Sequence, residues 1–322
     1  MATGQLIRID AFNSLAEDMS AAIEAFLSYC QSKNLSNNTI IYYRYRLESF
    51  RRYIDKNAPG TTPLNLNAPL IRGFIADESK RSSPSTANHS VISLKAFFNY
   101  LIKDGFLDRS PMAGVEKLKQ RKAIIQTFSL EQIEALLATC EKSFAGIRDR
   151  AIVLLLLDCG LRASELCDIK LDDVNWTEQT ILICGKGDKE RLISYGQTAR
   201  SALSQYLARR GELNVRNLFV SCYAEPINRY RLLEMIKERC SAANISGLRC
   251  SPHTLRHTFA VHYLRNGGDV FSLQKILGHS DLAMTRRYVE LSEMDVREKH
   301  RAYSPADRIR VASSSARRER LR

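Results

Sequence analysis

Four amphipathic segments follow one another at the start of the chain. Each repeats its apolar side chains at helical period, and residues that start or stop helices separate them. Ser20–Lys33 sets Ile23, Phe26, Leu27 and Cys30 on one face at i, i+3, i+4, i+7 spacing. Ser36, Asn37 and Asn38 then offer N-caps to a second helix, Thr39–Asp55. A turn-rich stretch, Asn57–Pro63, leads to a short helix around Pro69–Ser79. The fourth helix starts at Ser83-Pro84-Ser85 and runs to Lys103, with Val91, Leu94, Phe97, Phe98 and Leu101 as its apolar stripe. Helices this close in sequence bury their stripes against one another, so residues 1–115 predict a small bundle. Asp104-Gly105 and Ser110-Pro111 break the pattern at its end.

The second half changes period. Ser129–Cys140 and Ile147–Asp158 predict helices, the latter nearly all apolar and therefore buried. Thr180–Cys184 and Arg191–Ser194 predict short strands, joined through the Gly185–Lys189 turn as a hairpin. Helices resume from Thr198 to near Arg301, and the chain shows no internal repeat. The expected fold class is mainly α with a small antiparallel β-sheet in the second domain. The expected domains are a helical unit at 1–115, a basic linker at 116–127, a second globular unit at 128–302, and a tail at 303–322 that is disordered unless bound. A chain of 322 residues, 44% of them hydrophobic, is long enough for two such cores.

The net charge is +13. It divides into +3 on residues 1–115, +3 on 116–127, +3 on 128–302 and +4 on 303–322, so the linker and tail hold more than half. Short basic segments of this kind track a phosphate backbone or simply keep a linker solvated. A surplus this large points to nucleic acid or an anionic membrane. Membrane insertion is excluded on length: the longest apolar run, Ala151–Leu157, falls far short of the roughly 20 residues that span a bilayer. Arg8 and Asp10 interrupt the N-terminus, and no apolar signal region follows. The eight cysteines contain no CxxC pair and are expected to be reduced cytosolic thiols, several of them buried. A cytoplasmic protein is expected.

The second helix carries Arg44, Arg46, Arg51 and Arg52 among four tyrosines, a candidate phosphate-contacting face. Ser85, Thr86, Asn88 and His89 open the fourth helix with small polar groups suited to phosphate or base edges. Lys117, Lys119, Arg121 and Lys122 supply the linker's charge. Further on, Arg162 follows a glycine-marked turn, Lys186 sits in the hairpin loop, and His253, Arg256, His279 and Tyr288 come in that order. Two arginines can fork onto the non-bridging oxygens of a phosphodiester and hold the charge of a pentacoordinate transition state. A tyrosine, with a pKa of about 10, needs such a setting and a nearby base to attack at neutral pH. A lysine on a loop can give a proton to the leaving oxygen.

Each residue alone has an ordinary explanation: one of 13 tyrosines, a helix-terminal arginine, a hairpin-tip lysine. His253 and His257 share a helical face, but Thr254 stands where a metalloprotease needs glutamate and no third ligand suggests itself. No metal site and no cofactor is expected.

Order and spacing join these residues. Gly160-Leu161-Arg162-x-Ser164-Glu165-Leu166, Gly185-Lys186-Gly187-Asp188-Lys189-Glu190-Arg191, His253-x-x-Arg256-His257, Leu277-Gly278-His279 and Tyr288 together resemble the tyrosine recombinase (lambda integrase) family, and most closely its Xer-type and transposon or plasmid members. Ser36-x-x-Thr39-Ile40 and Leu94-x-x-Phe97-Phe98-x-Tyr100-Leu101 are similar to the family's core-binding domain. The likeness runs from about Ala16 to Tyr303, with Ser110-Pro111 where Asn-Pro is common.

The resemblance implies a helical, SAM-like core-binding domain followed by a catalytic domain of the DNA breaking-rejoining fold, closing on DNA as a C-shaped clamp. It implies that Tyr288 attacks a scissile phosphate and that Arg162 and Arg256 hold its oxygens. Lys186 would then be the general acid, with Lys189 its one rival, and His253 the general base. His279 would donate to the phosphate, and Glu165 would orient the set. It further implies a double-stranded site with inverted repeats, synapsis as a homotetramer through a C-terminal segment at 291–301, and in some cases an accessory directionality protein. Phosphotyrosine chemistry without site specificity, as in type IB topoisomerases, and a DNA-binding architectural protein that does not cut are the competing classes.

Overall fold

The computed structural model describes residues 18–119, 125–185, 190–292, 300 and 304–305. It divides into two compact units, Met1–Ala123 and Ile124–Arg322. No helix among the described residues is long and apolar enough to cross a membrane.

Among the described residues the regular elements of the first unit are all helices: α1 Met19–Ser32, α2 Asn37–Asn57, α3 Ala68–Arg81 and α4 Pro84–Lys103. Local chemistry sets each start. Asp18, Ser36, Asn67 and Ser83 accept hydrogen bonds from backbone N–H groups one turn in, and Pro84 fills a first-turn position that has no use for an N–H. The predicted stripes face inward. Ile23, Leu47, Phe50, Phe74, Val91, Phe97 and Phe98 form a core in which the Phe50 and Phe74 rings meet at 5.1 Å.

Asn88 departs from its expected role. It is buried, and its amide donates to the carbonyl of Leu118 at 2.9 Å and accepts from the N–H of Leu118 at 2.7 Å. One side chain with both a donor and an acceptor thus clasps the start of the segment expected to be free linker, and it is spent on the protein's own backbone. Val115 is buried and Leu118 packs against the same core, so this unit continues past residue 115.

The second unit builds around α6 Phe144–Cys159, a helix buried on most sides as its apolar run predicts. Before it comes α5 Leu130–Ala138, started by a capping box between Ser129 and Gln132. After it come α7 Ala163–Asp168, β1 Val174–Asn175, β2 Thr180–Cys184 and β3 Glu190–Ser194. The strands are antiparallel in the order β1-β2-β3, with Ile181 opposite Ile193 and Cys184 opposite Glu190. The described elements continue with α8 Gln197–Arg210, α9 Arg229–Ala242, α10 Pro252–Arg265, α11 Val270–Leu277 and α12 Leu282–Ser292. Helices α8 and α10 pack on α6. A buried ionic knot pins α9 to α6: Asp149 receives Arg148 at 2.7 Å and Arg239 at 2.7 Å, and Arg239 also donates to the carbonyl of Thr139. The two-residue strand β1 is too short to show in the sequence pattern.

Candidate active site

Gly160 begins the site. It ends α6 with φ +58°, and a Cβ there would lie 2.3 Å from the Phe259 ring, so the position takes no side chain. The sharp turn places Arg162 at the N-cap of α7 and puts the Gly160 carbonyl within 2.6 Å of Arg256 Nη1. Arg256 lies on α10, almost fully buried, and its Nη2 also meets the Leu277 carbonyl at 2.8 Å and His279 Nε2 at 3.1 Å. Burial and the nearby Arg162 push its guanidinium down to about 10, so it stays cationic at neutral pH.

The end of α11 is held by three arginines. The successive carbonyls of Ile276, Leu277 and Gly278 accept from Arg191 at 2.9 Å, Arg256 at 2.8 Å and Arg162 at 3.0 Å. Cations at a helix C-terminus meet the negative end of its dipole. Gly278 closes the helix at φ +62°, and a Cβ there would press on the Arg191 guanidinium at 3.1 Å. His279 follows directly. Its Nδ1 pairs with Thr285 at 2.9 Å, which aims Nε2 at Arg256.

Glu165 sits beneath these cations, 4% exposed as a side chain. It takes two bonds from Arg191 at 2.8 and 2.7 Å, one from Arg162 Nη1 at 2.6 Å and one from the Arg162 backbone N–H at 2.8 Å. Burial alone would raise its pKa. The bonds from Arg191 and Arg162 outweigh that and hold it at about 2, an anion throughout the working range. Arg162 keeps 38% of its side chain exposed, toward a cleft of about 540 Å³ lined by Arg162, His253, Arg256, His257, His279 and Tyr288.

Tyr288 comes from α12 and is buried to 4% exposure. Its ring lies parallel to that of His279 at 6.3 Å. Burial raises the phenol pKa, and Arg256, Arg287 and Arg162 pull it back down. Its hydroxyl is hydrogen-bonded to His257 Nδ1 at 2.7 Å, not to His253. His253 stands one turn earlier with its ring edge-on to His257 at 4.1 Å. Burial, followed by neighbouring positive groups, lowers His253 and takes His257 and His279 to about 4, so these imidazoles are neutral at pH 7. Among the described residues no cluster of three or more His, Cys, Asp or Glu is arranged to hold a metal.

The site therefore gathers Arg162, Glu165, His253, Arg256, His279 and Tyr288. Lys186, its rival Lys189, Arg121, Lys122 and the segment 293–299 lie outside the described residues, as does most of the tail. Arg191 carries no role in the sequence reading, and His257 enters it only as a possible metal ligand beside His253. Both stand inside the quoted motifs, and their neighbours there were the signal.

The expected DNA-facing residues of the first unit divide. Arg46 is turned to Glu78 at 3.1 Å with little exposure, under the rings of Tyr42 and Tyr45. Arg44 pairs with Glu24, Arg51 with Glu48 and Asp55, and Arg52 donates to the Glu48 carbonyl. The helix face read as free cations is thus largely matched by carboxylates, two of them on neighbouring helices. Thr86 shares its hydroxyl with Ser83 at 3.0 Å, while Ser85, His89, Lys117 and Lys119 are exposed.

Comparison with known proteins finds relatives for both units. The phage integrase family matches residues 126–294, and the phage integrase N-terminal SAM-like domain matches residues 23–105. The tyrosine recombinase XerD of Listeria innocua is 34% identical over 298 residues, 89% of this chain and 99% of the relative. XerD of Staphylococcus aureus is 31% identical over 297 residues, again 89% and 99%. In fold, the chain resembles XerH site-specific recombinase bound to a palindromic difH substrate (TM-score 0.70, 20% identity, 90% of this chain and 85% of that one). It likewise resembles the Tn1549 transposon integrase in complex with transposon right end DNA (TM-score 0.70, 20% identity, 83% and 94%). The chain belongs to the phage integrase family, the lambda integrase group of tyrosine recombinases, and within it to the Xer type.

Proposed function

We propose that this tyrosine recombinase performs site-specific recombination by breaking and rejoining DNA strands through a 3′-phosphotyrosyl link at Tyr288. The Tyr288 hydroxyl gives up its proton to a histidine base of the cleft as its oxygen attacks the scissile phosphorus in line, and the 5′-oxygen leaves with a proton from Lys186. Arg162 and Arg256 hold the non-bridging oxygens, and His279 donates a hydrogen bond to the same phosphate. Glu165 keeps the arginines aimed. The phosphotyrosyl ester conserves the energy of the broken linkage, so rejoining needs no ATP. The observation that carries the reading is the convergence of Arg162, Arg256, His279 and Tyr288 on one cleft, with the arginines fixed by backbone carbonyls before any substrate arrives.

The substrate is a double-stranded site with inverted repeats, synapsed by a homotetramer in the cytoplasm, with an accessory protein where direction is imposed. Exposed Ser85, His89, Lys117 and Lys119, with Arg121 and Lys122 of the linker, are its phosphate and groove contacts. Inverted repeats of about a helical turn each beside the gene would identify the site.

A nicked suicide duplex carrying the site tests the chemistry. A covalent protein–DNA adduct that vanishes with Tyr288→Phe is the expected result. No adduct, or one that survives the substitution, overturns it. Relaxation of plasmid lacking the site would instead mark a topoisomerase.

A further inference from the structure

We infer that His257 is a further catalytic residue: its Nδ1 takes the proton from the Tyr288 hydroxyl as the phenol oxygen attacks the scissile phosphate. The inference rests on the recombinase reading and adds a named proton acceptor to it.

The geometry is specific. Tyr288 and His257 lie on different helices, α12 and α10, yet the phenol oxygen and Nδ1 are 2.7 Å apart, within the range of direct proton transfer. With the ring hydrogen on Nε2, Nδ1 offers a lone pair and the phenol donates to it. His253, to which the family resemblance gives this task, meets the edge of the His257 ring at 4.1 Å and lines the cleft. Tyr288 is only 4% exposed where it lines the cleft, and His257 is the acceptor within hydrogen-bond distance of its hydroxyl.

Electrostatics gives the acceptor a condition. Burial, His253, Arg287, Arg256 and His279 all act against a charged His257, which holds it at about 4 in the free protein. The same surroundings leave the phenol raised by burial. Without substrate the proton therefore stays on Tyr288. A phosphodiester seated between Arg162 and Arg256 brings a negative charge beside these cations, offsets their effect on the imidazole and permits the transfer. In the step, the Tyr288 O–H bond breaks, the proton goes to Nδ1, and the freed electron pair forms the O–P bond as the P–O bond to the 5′-oxygen breaks. Rejoining reverses it: the 5′-hydroxyl attacks, the phenolate leaves, and His257 returns its proton.

The test is cleavage of the nicked suicide duplex under single-turnover conditions. His257→Ala should slow adduct formation about 100-fold or more, the usual contribution of a positioned base, with unchanged affinity in a gel-shift assay. Replacing Tyr288 by 3,5-difluorotyrosine, a more acidic phenol, should restore most of that rate in the His257→Ala protein and much less in a His253→Ala protein. His257→Gln, closer in shape, carries the same expectation should the alanine variant melt early. Cleavage at or above the unmodified rate in a folded variant would show that His257 merely holds or restrains the tyrosine. A slow variant that the acidic phenol does not rescue would also overturn the inference. Failure of the unsubstituted protein to form any adduct would strike the recombinase reading itself.

Discussion

Glu165→Gln removes one charge from the site and almost no volume. In the native protein this carboxylate lies under Arg162 and Arg191 with Arg256 at 3.9 Å, and it is nearly sealed from water. Its pKa is held at about 2 against an ordinary 4.5. At 1.36 kcal/mol for each pH unit, the ionised form contributes about 3 kcal/mol at neutral pH. A glutamine forfeits this and cannot accept two bonds from Arg191 while also serving Arg162. Loss on this scale lowers the melting temperature of a unit this size by about 6–12 °C. The sign with pH follows from the depressed value. The stabilisation is complete above pH 4.5 and is lost as pH falls from there toward 2, so the variant's melting temperature should be flatter across that window. Suicide-duplex cleavage should slow as well, because Arg162 loses the partner that aims it. A variant melting within about 1 °C of the native protein, with unchanged cleavage, would refute the account of Glu165 as the anion that organises the arginines.

Other perturbations have separate signatures. Gly160→Ala should cost at least about 1–3 kcal/mol from the left-handed backbone alone, with the added clash on Phe259 displacing the carbonyl that holds Arg256, so thermal stability and cleavage fall together. Asp149→Ala leaves the buried Arg148 uncompensated and should cost about 3–5 kcal/mol in urea unfolding, while the folded fraction cleaves at the native rate because neither Asp149 nor its arginine partners line the cleft. His257 and His279 are neutral in the fold down to about pH 4, whereas in the unfolded chain they protonate near 6.5. Stability should therefore fall as pH drops from 6.5 toward 4, and His279→Asn should flatten that slope in a melting series.

The helices of the first unit were legible to within a few residues because Ser36 and Ser83 announce their own starts and the apolar stripes are unbroken. The hairpin was legible because its strands flank a glycine turn. Order and spacing within the family motifs already pick out Arg162, His253, Arg256, His279 and Tyr288, which the fold brings to one cleft. What stayed hidden depends on partners far away in the chain. Arg46 reads as a free cation until Glu78 is folded against it, and Asn88 reads as a groove contact until Leu118 is brought to it. His257 and His253 are indistinguishable by spacing alone. Only the packing of α12 against α10 decides which of them meets the phenol.

The three arginines on the last carbonyls of α11 also set how this part of the molecule opens. The final turn of a helix ordinarily frays at little cost. Here the carbonyls of Ile276, Leu277 and Gly278 are each tied to a guanidinium, so that turn cannot loosen without releasing Arg256 and Arg162 from their aim. The helix end and the two cleft arginines then behave as a single cooperative unit with one opening free energy. Any anion that engages the arginines draws on the same equilibrium. Binding of DNA should accordingly slow amide hydrogen exchange at Gly278 and His279, although neither backbone N–H needs to touch the substrate.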